Sequence, residues 1–306
     1  MKTPSLPIRS LPIRSLPIPS LPIRRLPIPS LPIRRLPIPA VPTALLRATA
    51  LELAVLAGHA LLYPTGIAGE RHPEPAPTPD PRATGRLPGE AAGRPPVVLL
   101  HGFIDNRSVF VLLRRSLARH GWRHLESLNH SPLTSDVRTA AELLGRHIEE
   151  ICARTGHERV DIVGHSLGGL IARYYVQRLG GDHRVRTLVT LGTPHAGTAV
   201  APLAGALPIV RQMRGGSAPI EELRLPAPGC RTRFVSFWSE LDQVIVPPEA
   251  ACVDHPDLDA VNVRVTGIGH LALPVHPAVA AAVRQALDTA EPAHGSSGAA
   301  GSASVA

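Results

Sequence analysis

The pattern of hydrophobic and polar positions divides most of the chain into alternating strands and helices. Short apolar runs typical of buried strands lie at 97–100, 122–129, 159–163, 184–191, 232–238 and 261–266. Stretches with helical spacing of apolar residues lie at 106–120, 136–154, 167–179 and 277–290. Repeated strand–helix units predict a mostly parallel sheet with helices on both faces, so the expected fold class is α/β.

Residues 1–42 follow neither pattern. From Leu6 to Ala40 the chain repeats seven pentapeptides of the type Leu-Pro-Ile-Arg/Pro-Ser/Arg. Proline at every second or third position is incompatible with helix and with interior strand, so we expect a disordered, extended tail. Residues 1–40 carry Lys2, six arginines and no acid, which is +7 of the net charge of +8. The rest of the chain is nearly neutral, which argues against a basic face for nucleic acid.

An apolar segment, Thr43 to Tyr63, follows between two prolines. It is long enough to cross a membrane, but it includes Arg47, Glu52 and His59, which are costly in an isolated span. Two interpretations stay open: an export or anchor helix, and an apolar helix packed on the body. The first forty residues lack the apolar core of a signal peptide. If translation starts near residue 41 and the repeat is translated repetitive DNA, this helix is N-terminal, as in a signal anchor.

These features define the expected domain organisation. We predict a disordered repeat tail over 1–42, an apolar helix over 43–68, a Pro- and Gly-rich linker over 69–95, an α/β domain over 96–290 and a disordered Ala/Gly/Ser-rich tail over 291–306. Residues 1–63 are the predicted contact with a membrane surface, which makes a membrane-associated or exported protein the expected localisation, with a cytoplasmic one as the alternative.

One motif carries specific chemistry. Residues 164–168 read Gly-His-Ser-Leu-Gly, which places Ser166 on a strand-to-helix turn. The backbone of such a serine is strained and the chain passes close to it, so Gly164 and Gly168 remove side chains that would block that approach. The helix that begins at Leu167 directs its unpaired N–H groups at a reacting carbonyl oxygen. We therefore predict Ser166 to be a nucleophile.

Two later strand ends supply the partners that a nucleophilic serine needs. Asp242 follows the run at 232–238, and His270 follows the valine-rich run at 261–266, in the order Ser, Asp, His. The carboxylate is expected to hold the imidazole in its correct tautomer. Alternatives stay open for both positions: for the acid, Glu240 and more weakly Asp254, Asp257 and Asp259; for the base, His276.

The oxyanion hole is expected between two backbone N–H groups. The strand at 97–100 ends in His-Gly-Phe, and the loop there is predicted to supply the N–H of Phe103. The second N–H is that of Leu167, directly after the nucleophile. His101 is predicted to shape the loop.

These segments together resemble the α/β-hydrolase superfamily, and within it the small bacterial triacylglycerol lipases and esterases that lack a large lid domain. The matching pieces are Val97–Phe103, Val160–Gly169, Thr190–Thr198, Ser236–Val246 and Gly267–Leu273. The resemblance implies an α/β-hydrolase fold and hydrolysis of lipid or other carboxylic esters through Ser166, His270 and Asp242. It also implies a structural role for His195.

The segment 199–224 departs from the compact members of that family, because it is longer. Its apolar run, 199–210, is either a short lid or acyl-pocket wall, or a surface loop packed on the core. The chain has no zinc-spaced Cys/His cluster, no phosphate loop and no dinucleotide fingerprint, so no cofactor or metal is expected. Cys230 and Cys252 flank Asp242, and a disulfide between them is one option in an exported protein.

Three functional hypotheses follow. The first is hydrolysis of carboxylic esters, most specifically lipid esters in lipid catabolism. The second keeps the acyl-enzyme but transfers the acyl group to an alcohol or lipid acceptor in place of water. The third is a non-catalytic membrane scaffold that acts through the Arg- and Pro-rich tail, against which the complete set of hydrolase motifs argues.

Overall fold

The computed structural model describes residues 43–66, 93–103, 105–129, 136–200 and 207–288, together with the backbone of 302–305. All of these residues belong to one unit, Val41–Ala306. The predicted repeat tail and nearly all of the predicted linker lie outside the described residues.

A parallel sheet forms the centre of this unit. Its strands in chain order are β1 (Val97–Leu100), β2 (Leu125–Leu128), β3 (Val160–His165), β4 (Val185–Leu191), β5 (Arg233–Ser239) and β6 (Asp259–Val265). They lie side by side in the order β2-β1-β3-β4-β5-β6, and every neighbouring pair is parallel. All residues of β1 and β3 are buried, as expected for strands covered on both faces. The predicted α/β sheet is confirmed.

Seven helices accompany the sheet in the part of the chain that the structure describes. They are α1 (Thr43–Leu62), α2 (Val111–Arg119), α3 (Val137–Thr155), α4 (Leu167–Arg178), α5 (Pro208–Gln212), α6 (Ala218–Glu222) and α7 (Pro277–Asp288). Short 3-10 turns lie at Tyr63–Gly66, Arg107–Phe110, Gly181–His183 and Pro248–Ala251. The helix predicted over 106–120 is thus divided, because the Asn106 side chain accepts from the N–H of Ser108 and caps a separate 3-10 turn.

The alternation of residues along β1 shows how the two helical layers are held. Val98 and Leu100 face a core cluster that includes residues of α3 and α4. Val97 and Leu99 face a second cluster that includes residues of α2 and α7. Because successive side chains of a strand point to opposite faces, one short strand anchors both layers.

The C-terminal tail departs from its prediction at four residues. Ser302–Val305 form a seventh strand, β7, which pairs in parallel with the outer edge of β6. The composition of the tail predicts disorder because it offers little apolar surface. Pairing at a sheet edge needs only extended backbone, since the N–H and C=O groups of the edge strand serve as a template. The rest of the predicted tail from 291 lies outside the described residues.

Helix α1 packs on the body along one side. Its inward positions are spaced by three and four residues and include Ala48, Glu52, Val55 and His59. Leucines face outward, among them Leu46, Leu53, Leu56 and Leu61, which are 57%, 62%, 46% and 81% exposed. The segment is also long and apolar enough to cross a membrane by length and composition alone. The inner side of α1 therefore fits the interpretation of a helix docked on the body. Its outer side exposes large apolar residues.

Candidate active site

Ser166 sits on a strained turn between β3 and α4. Its φ of 52° and ψ of −119° make it the only non-glycine residue with positive φ in the described part of the chain. The close approach predicted for the motif is present. A Cβ on Gly168 would lie 2.3 Å from the carbonyl oxygen of Leu100, and one on Gly164 would lie 2.5 Å from the backbone N of Gly169. The fold holds the serine in a conformation that an unconstrained chain rarely adopts, which is typical of functional residues.

His270 and Asp242 form a buried pair. His270 lies just after β6 and Asp242 just after β5, and the distance from Nδ1 to Oδ2 is 2.7 Å. The other carboxylate oxygen of Asp242, Oδ1, accepts hydrogen bonds from the N–H groups of Val244 and Ile245, both at 2.8 Å. Each residue is 4% exposed. This geometry fixes the imidazole with a protonated Nδ1 and leaves Nε2 free of that contact.

The alternative residues lie elsewhere. The carboxylate of Glu240 is 40% exposed and forms an ion pair with Arg264. His276 precedes α7, and its backbone N–H donates to the carbonyl of Ala272. Asp257 accepts from the backbone N–H of Ala227. Among the candidate acids, the structure therefore brings Asp242 to His270.

The pKa values of the pair are shifted in opposite directions. Burial alone lowers the pKa of His270, but the charge and hydrogen bond of Asp242, together with the charges of Glu52 and Asp105, outweigh this effect, so the net pKa is raised above 6.5. Burial alone raises the pKa of Asp242, but the His270 charge and hydrogen bond and the N–H groups of Ile245 and Val244 outweigh it, so the net pKa is lowered. The carboxylate is thus ionised, and an imidazolium beside it is stabilised.

Ser166 and His270 line one cavity of about 170 Å³. Gly102 and Phe103 line the same cavity, which places the backbone after β1 beside the serine. Leu167 is the first residue of α4, where helical N–H groups have no partner within the helix. Three of the five residues predicted from the sequence, Phe103, Ser166 and His270, therefore line one cavity. Of the other two, Asp242 is hydrogen-bonded to His270, and Leu167 directly follows Ser166.

The wall of the cavity is strongly apolar. Its side chains include Val200, Val210, Met213, Val244, Ile245 and Leu271. Val200 and Val210 come from the insertion whose role the sequence leaves open. Residues 199–210 were predicted to be either a lid or pocket wall, or a surface loop. The positions of Val200 and Val210 fit the pocket wall. Residues 201–206 lie outside the described residues.

A second His–carboxylate pair lies next to the first. His165 Nδ1 is 3.3 Å from Asp105 Oδ2, and its Nε2 is 3.3 Å from the carbonyl oxygen of His270. The rings of His165 and His270 are 4.8 Å apart between centroids. Asp105 belongs to none of the sequence motifs described above. Its only signal is a position on the loop after the His-Gly-Phe run.

His195, which the family resemblance predicts to be structural, is held inside the protein. The ring of His195 is buried and its Nε2 lies 2.9 Å from Thr190 Oγ1. Burial, reinforced by the charge of Arg173, lowers the pKa of His195 well below its ordinary value, so this ring is neutral. The disulfide considered between Cys230 and Cys252 is not formed, because both residues are free thiols. Within the described ranges, no group of three or more His, Cys, Asp or Glu side chains is arranged to hold a metal ion.

The chain is similar in sequence to α/β-hydrolases and to bacterial triacylglycerol lipases. The family model of the alpha/beta hydrolase fold matches residues 95–215, which include Phe103, Ser166 and Leu167 and end before Asp242. A triacylglycerol lipase of Pseudarthrobacter phenanthrenivorans is 30% identical over 118 residues, covering 36% of each chain. A triacylglycerol lipase of Vibrio cholerae is 32% identical over 126 residues, covering 39% of each chain. The chain thus spans little more than a third of the length of these relatives.

Comparison with solved structures agrees on the fold. The mature form of lipase BlEst2 from Bacillus licheniformis superposes with a TM-score of 0.56 at 17% identity, covering 72% of this chain and 96% of that one. Lipase B of Aspergillus fumigatus gives a TM-score of 0.57 at 18% identity, covering 65% of this chain and 54% of that one. The chain therefore has the α/β-hydrolase fold, as the sequence motifs predicted.

Proposed function

From an α/β-hydrolase fold and a resemblance to triacylglycerol lipases, we propose that this protein hydrolyses carboxylic esters of lipids with Ser166 as nucleophile. One observation carries the proposal. The strained Ser166 shares an apolar cavity with His270, whose ring is hydrogen-bonded to the buried carboxylate of Asp242. Nucleophile, base and orienting acid then have the roles that covalent catalysis of acyl transfer requires.

The first half of the reaction forms an acyl-enzyme. Nε2 of His270 takes the proton of Ser166 Oγ as Oγ bonds to the ester carbonyl carbon. The carbonyl oxygen becomes an oxyanion, which the N–H groups of Phe103 and Leu167 stabilise. His270 then returns the proton to the leaving alcohol as the ester C–O bond breaks. Asp242 stays ionised throughout and stabilises the imidazolium.

The second half releases the acid. A water molecule gives one proton to His270, and its oxygen bonds to the acyl carbon, so that a second oxyanion forms in the same hole. The bond to Ser166 Oγ breaks, Oγ takes the proton back from His270, and a carboxylic acid leaves. Ser166, His270, the ester and water supply every electron pair and every proton that the reaction needs, so the proposed reaction is balanced.

The cavity favours an apolar acyl group. Val200, Val210, Met213 and Ile245 surround the space beside the serine, where an acyl chain makes favourable contacts without leaving polar groups unpaired. A charged or strongly polar acyl group would lose its hydration there. Esters with hydrocarbon acyl chains are therefore the proposed substrate class.

We also propose that the protein works at a lipid surface. The outward leucines of α1 offer an apolar strip, and the +7 charge of residues 1–40 directly precedes that helix. Apolar insertion together with attraction to anionic headgroups is the usual pair of signals for stable attachment. Each basic residue near an anionic surface contributes about 1 kcal/mol.

Hydrolysis of p-nitrophenyl esters of increasing chain length tests the proposal. We expect release of p-nitrophenol and free acid, with Ser166→Ala lower by several orders of magnitude because only oxyanion and binding contributions remain. The acid limb of kcat/KM should lie above pH 6.5, since His270 must be neutral to act and its pKa is raised. Unchanged hydrolysis by Ser166→Ala would contradict the assignment of the nucleophile.

A further inference from the structure

Helix α1 contacts both loops that border the candidate active site. His59 Nδ1 lies 3.7 Å from Asp105 Oδ1 on the loop after β1. The 3-10 turn that follows the helix is held to the same loop, because Asn106 Nδ2 donates to the carbonyl of Tyr63 at 2.8 Å. On its other side the helix reaches the loop after β6 through Glu52. It therefore bridges the oxyanion side and the imidazole side of the cavity.

Glu52 makes the most directional of these contacts. Its Oε2 accepts a hydrogen bond from the backbone N–H of Leu271 at 2.8 Å, and its Oε1 accepts one from the N–H of Ala272 at 2.9 Å. These are the two residues directly after His270. A carboxylate that bridges two successive N–H groups is a stronger and more directional acceptor than a neutral group. It fixes the path of the chain as it leaves His270.

The residue before His270 also touches Glu52. A Cβ on Gly269 would lie 2.7 Å from Glu52 Cδ and 2.9 Å from its Oε1. The carboxylate therefore contacts the chain on both sides of the histidine. A glycine at 269 is needed for this contact, since any side chain would push the carboxylate out of its two hydrogen bonds.

We propose that Glu52 is a positioning residue for His270, which makes α1 part of the active site. The inference rests on the proposed function, in which His270 is the base. Glu52 does not touch the reacting atoms. It acts by holding the loop that carries the imidazole and by placing a negative charge near the ring, in addition to the charge of Asp242.

The charge of Glu52 gives a readout that a purely structural role lacks. Four titratable groups face His270 from the elements packed around it: Asp242 after β5, Glu52 on α1, Asp105 after β1 and His165 at the end of β3. Burial lowers the pKa of His270, whereas the charges of Asp242, Glu52 and Asp105 raise it. Loss of the Glu52 charge therefore lowers this pKa, and the acid limb of kcat/KM moves to lower pH.

The test compares Glu52→Gln with Gly269→Ala and with a control on the same helix. Glu52→Gln keeps the shape of the side chain but has one acceptor oxygen, so one N–H loses its partner. We expect kcat/KM on a soluble short-chain ester to fall by about 10- to 100-fold, the usual cost of a small misplacement. Gly58→Ala should leave activity unchanged, because nothing lies within 4 Å of the added Cβ.

Two further measurements separate positioning from folding. Gly269→Ala should lower kcat/KM in the same direction, and the double variant Glu52→Gln/Gly269→Ala should lose little more than the worse single variant, since both remove one contact. NMR titration of His270 in the full chain, assigned with a His270→Asn variant, should give a lower pKa in Glu52→Gln than in wild type. This titration needs no turnover, so it remains informative if the wild-type protein hydrolyses no ester.

The outcomes divide cleanly. A fall in kcat/KM with the acid limb and the NMR pKa of His270 both moved to lower pH supports the inference. Wild-type kcat/KM in Glu52→Gln, or a loss that matches a loss of folded protein with an unmoved pKa, overturns it. If Glu52→Gln does not fold, Gly269→Ala decides the matter: wild-type activity there also overturns it.

Discussion

Helices α1 and α3 are nearly equal in length, 20 and 19 residues, but they face the protein with opposite kinds of side chain. The buried residues of α3 are all apolar, and its charged residues lie on the outer side. In α1 the inward side holds Glu52 and His59, and large leucines face outward. Helix α3 is therefore part of the core, whereas α1 is held mainly by polar contacts with the active-site loops.

The two helices therefore contribute in different ways. Leu144, Ile148 and Ile151 of α3 belong to the core cluster shared with β1 and β3, so α3 stabilises the fold by burying apolar surface. The inward apolar residues of α1 are few: Ala48 is buried, and Leu45 and Val55 are half-buried. Its outward surface is an apolar strip of a kind that marks interaction sites on monomers.

The largest loss of activity should come from changing Asp242, the carboxylate after β5 that is hydrogen-bonded to His270. Asp242→Asn should lower kcat by roughly 10⁴-fold without loss of fold, by analogy with the same change in the serine-protease triad. Glu240→Gln is the matched control, since this exposed carboxylate pairs with Arg264 and does not contact His270. Both variants are measured by steady-state kinetics on a soluble ester. Equal losses would show that Asp242 has no special role.

The second effect separates core from surface. Ile148→Ala in α3 should lower the free energy of unfolding by about 2–5 kcal/mol, because it leaves a cavity in a fully buried site. Leu53→Ala in α1 should change it by less than about 0.5 kcal/mol, since that leucine is exposed. Urea denaturation followed by circular dichroism measures both. A large loss in Leu53→Ala would mean that the outward face of α1 is packed on protein.

The smallest effect should appear only on lipid. The double variant Leu53→Gln/Leu56→Gln should weaken binding to vesicles that contain anionic phospholipid by about tenfold, a fraction of the ~1.5–3 kcal/mol that full burial of each leucine is worth. Sedimentation with vesicles measures the binding, and hydrolysis of a soluble ester is the control that should not change. Unchanged vesicle binding would leave the strip without a role at a lipid surface.

Deletion of residues 1–40 tests whether the positive charge of the tail contributes to binding at a lipid surface. A variant that begins at Val41 should keep its activity on a soluble ester, since every contact described for the site lies within Val41–Ala306. Its binding to anionic vesicles should fall, and binding to uncharged vesicles should not, because the tail acts through its seven basic residues. Loss of soluble-ester activity would place the tail in the folded enzyme.

The sheet and the central motif were predictable from the sequence because both depend on local patterns. Buried parallel strands show continuous apolar runs, and Gly164-x-Ser166-x-Gly168 records a turn in which two glycines make room for passing backbone. Asp242 and His270 were predicted from their places after strands. Parallel strands end at one edge of a sheet, so residues far apart in sequence meet there.

The rest depends on contacts that no local pattern records. Glu52 accepts a hydrogen bond from the N–H of Leu271, which is more than 200 residues away in the chain. In the sequence, Glu52 is only a charged residue that interrupts an apolar helix. The contacts of Asp105 with His165 and His59 likewise form only in the folded chain. β7 was missed because its pairing uses backbone groups, which composition does not report.

Intact-mass spectrometry can show whether an acyl-enzyme forms on Ser166. After brief exposure to a fluorophosphonate or a slowly hydrolysed ester, the wild-type protein should gain one adduct, mapped by peptide digestion to Ser166. Ser166→Ala should gain none, and Asp242→Asn should gain it much more slowly. An adduct on another residue, or ester turnover in Ser166→Ala at the wild-type rate, would show that Ser166 is not the nucleophile.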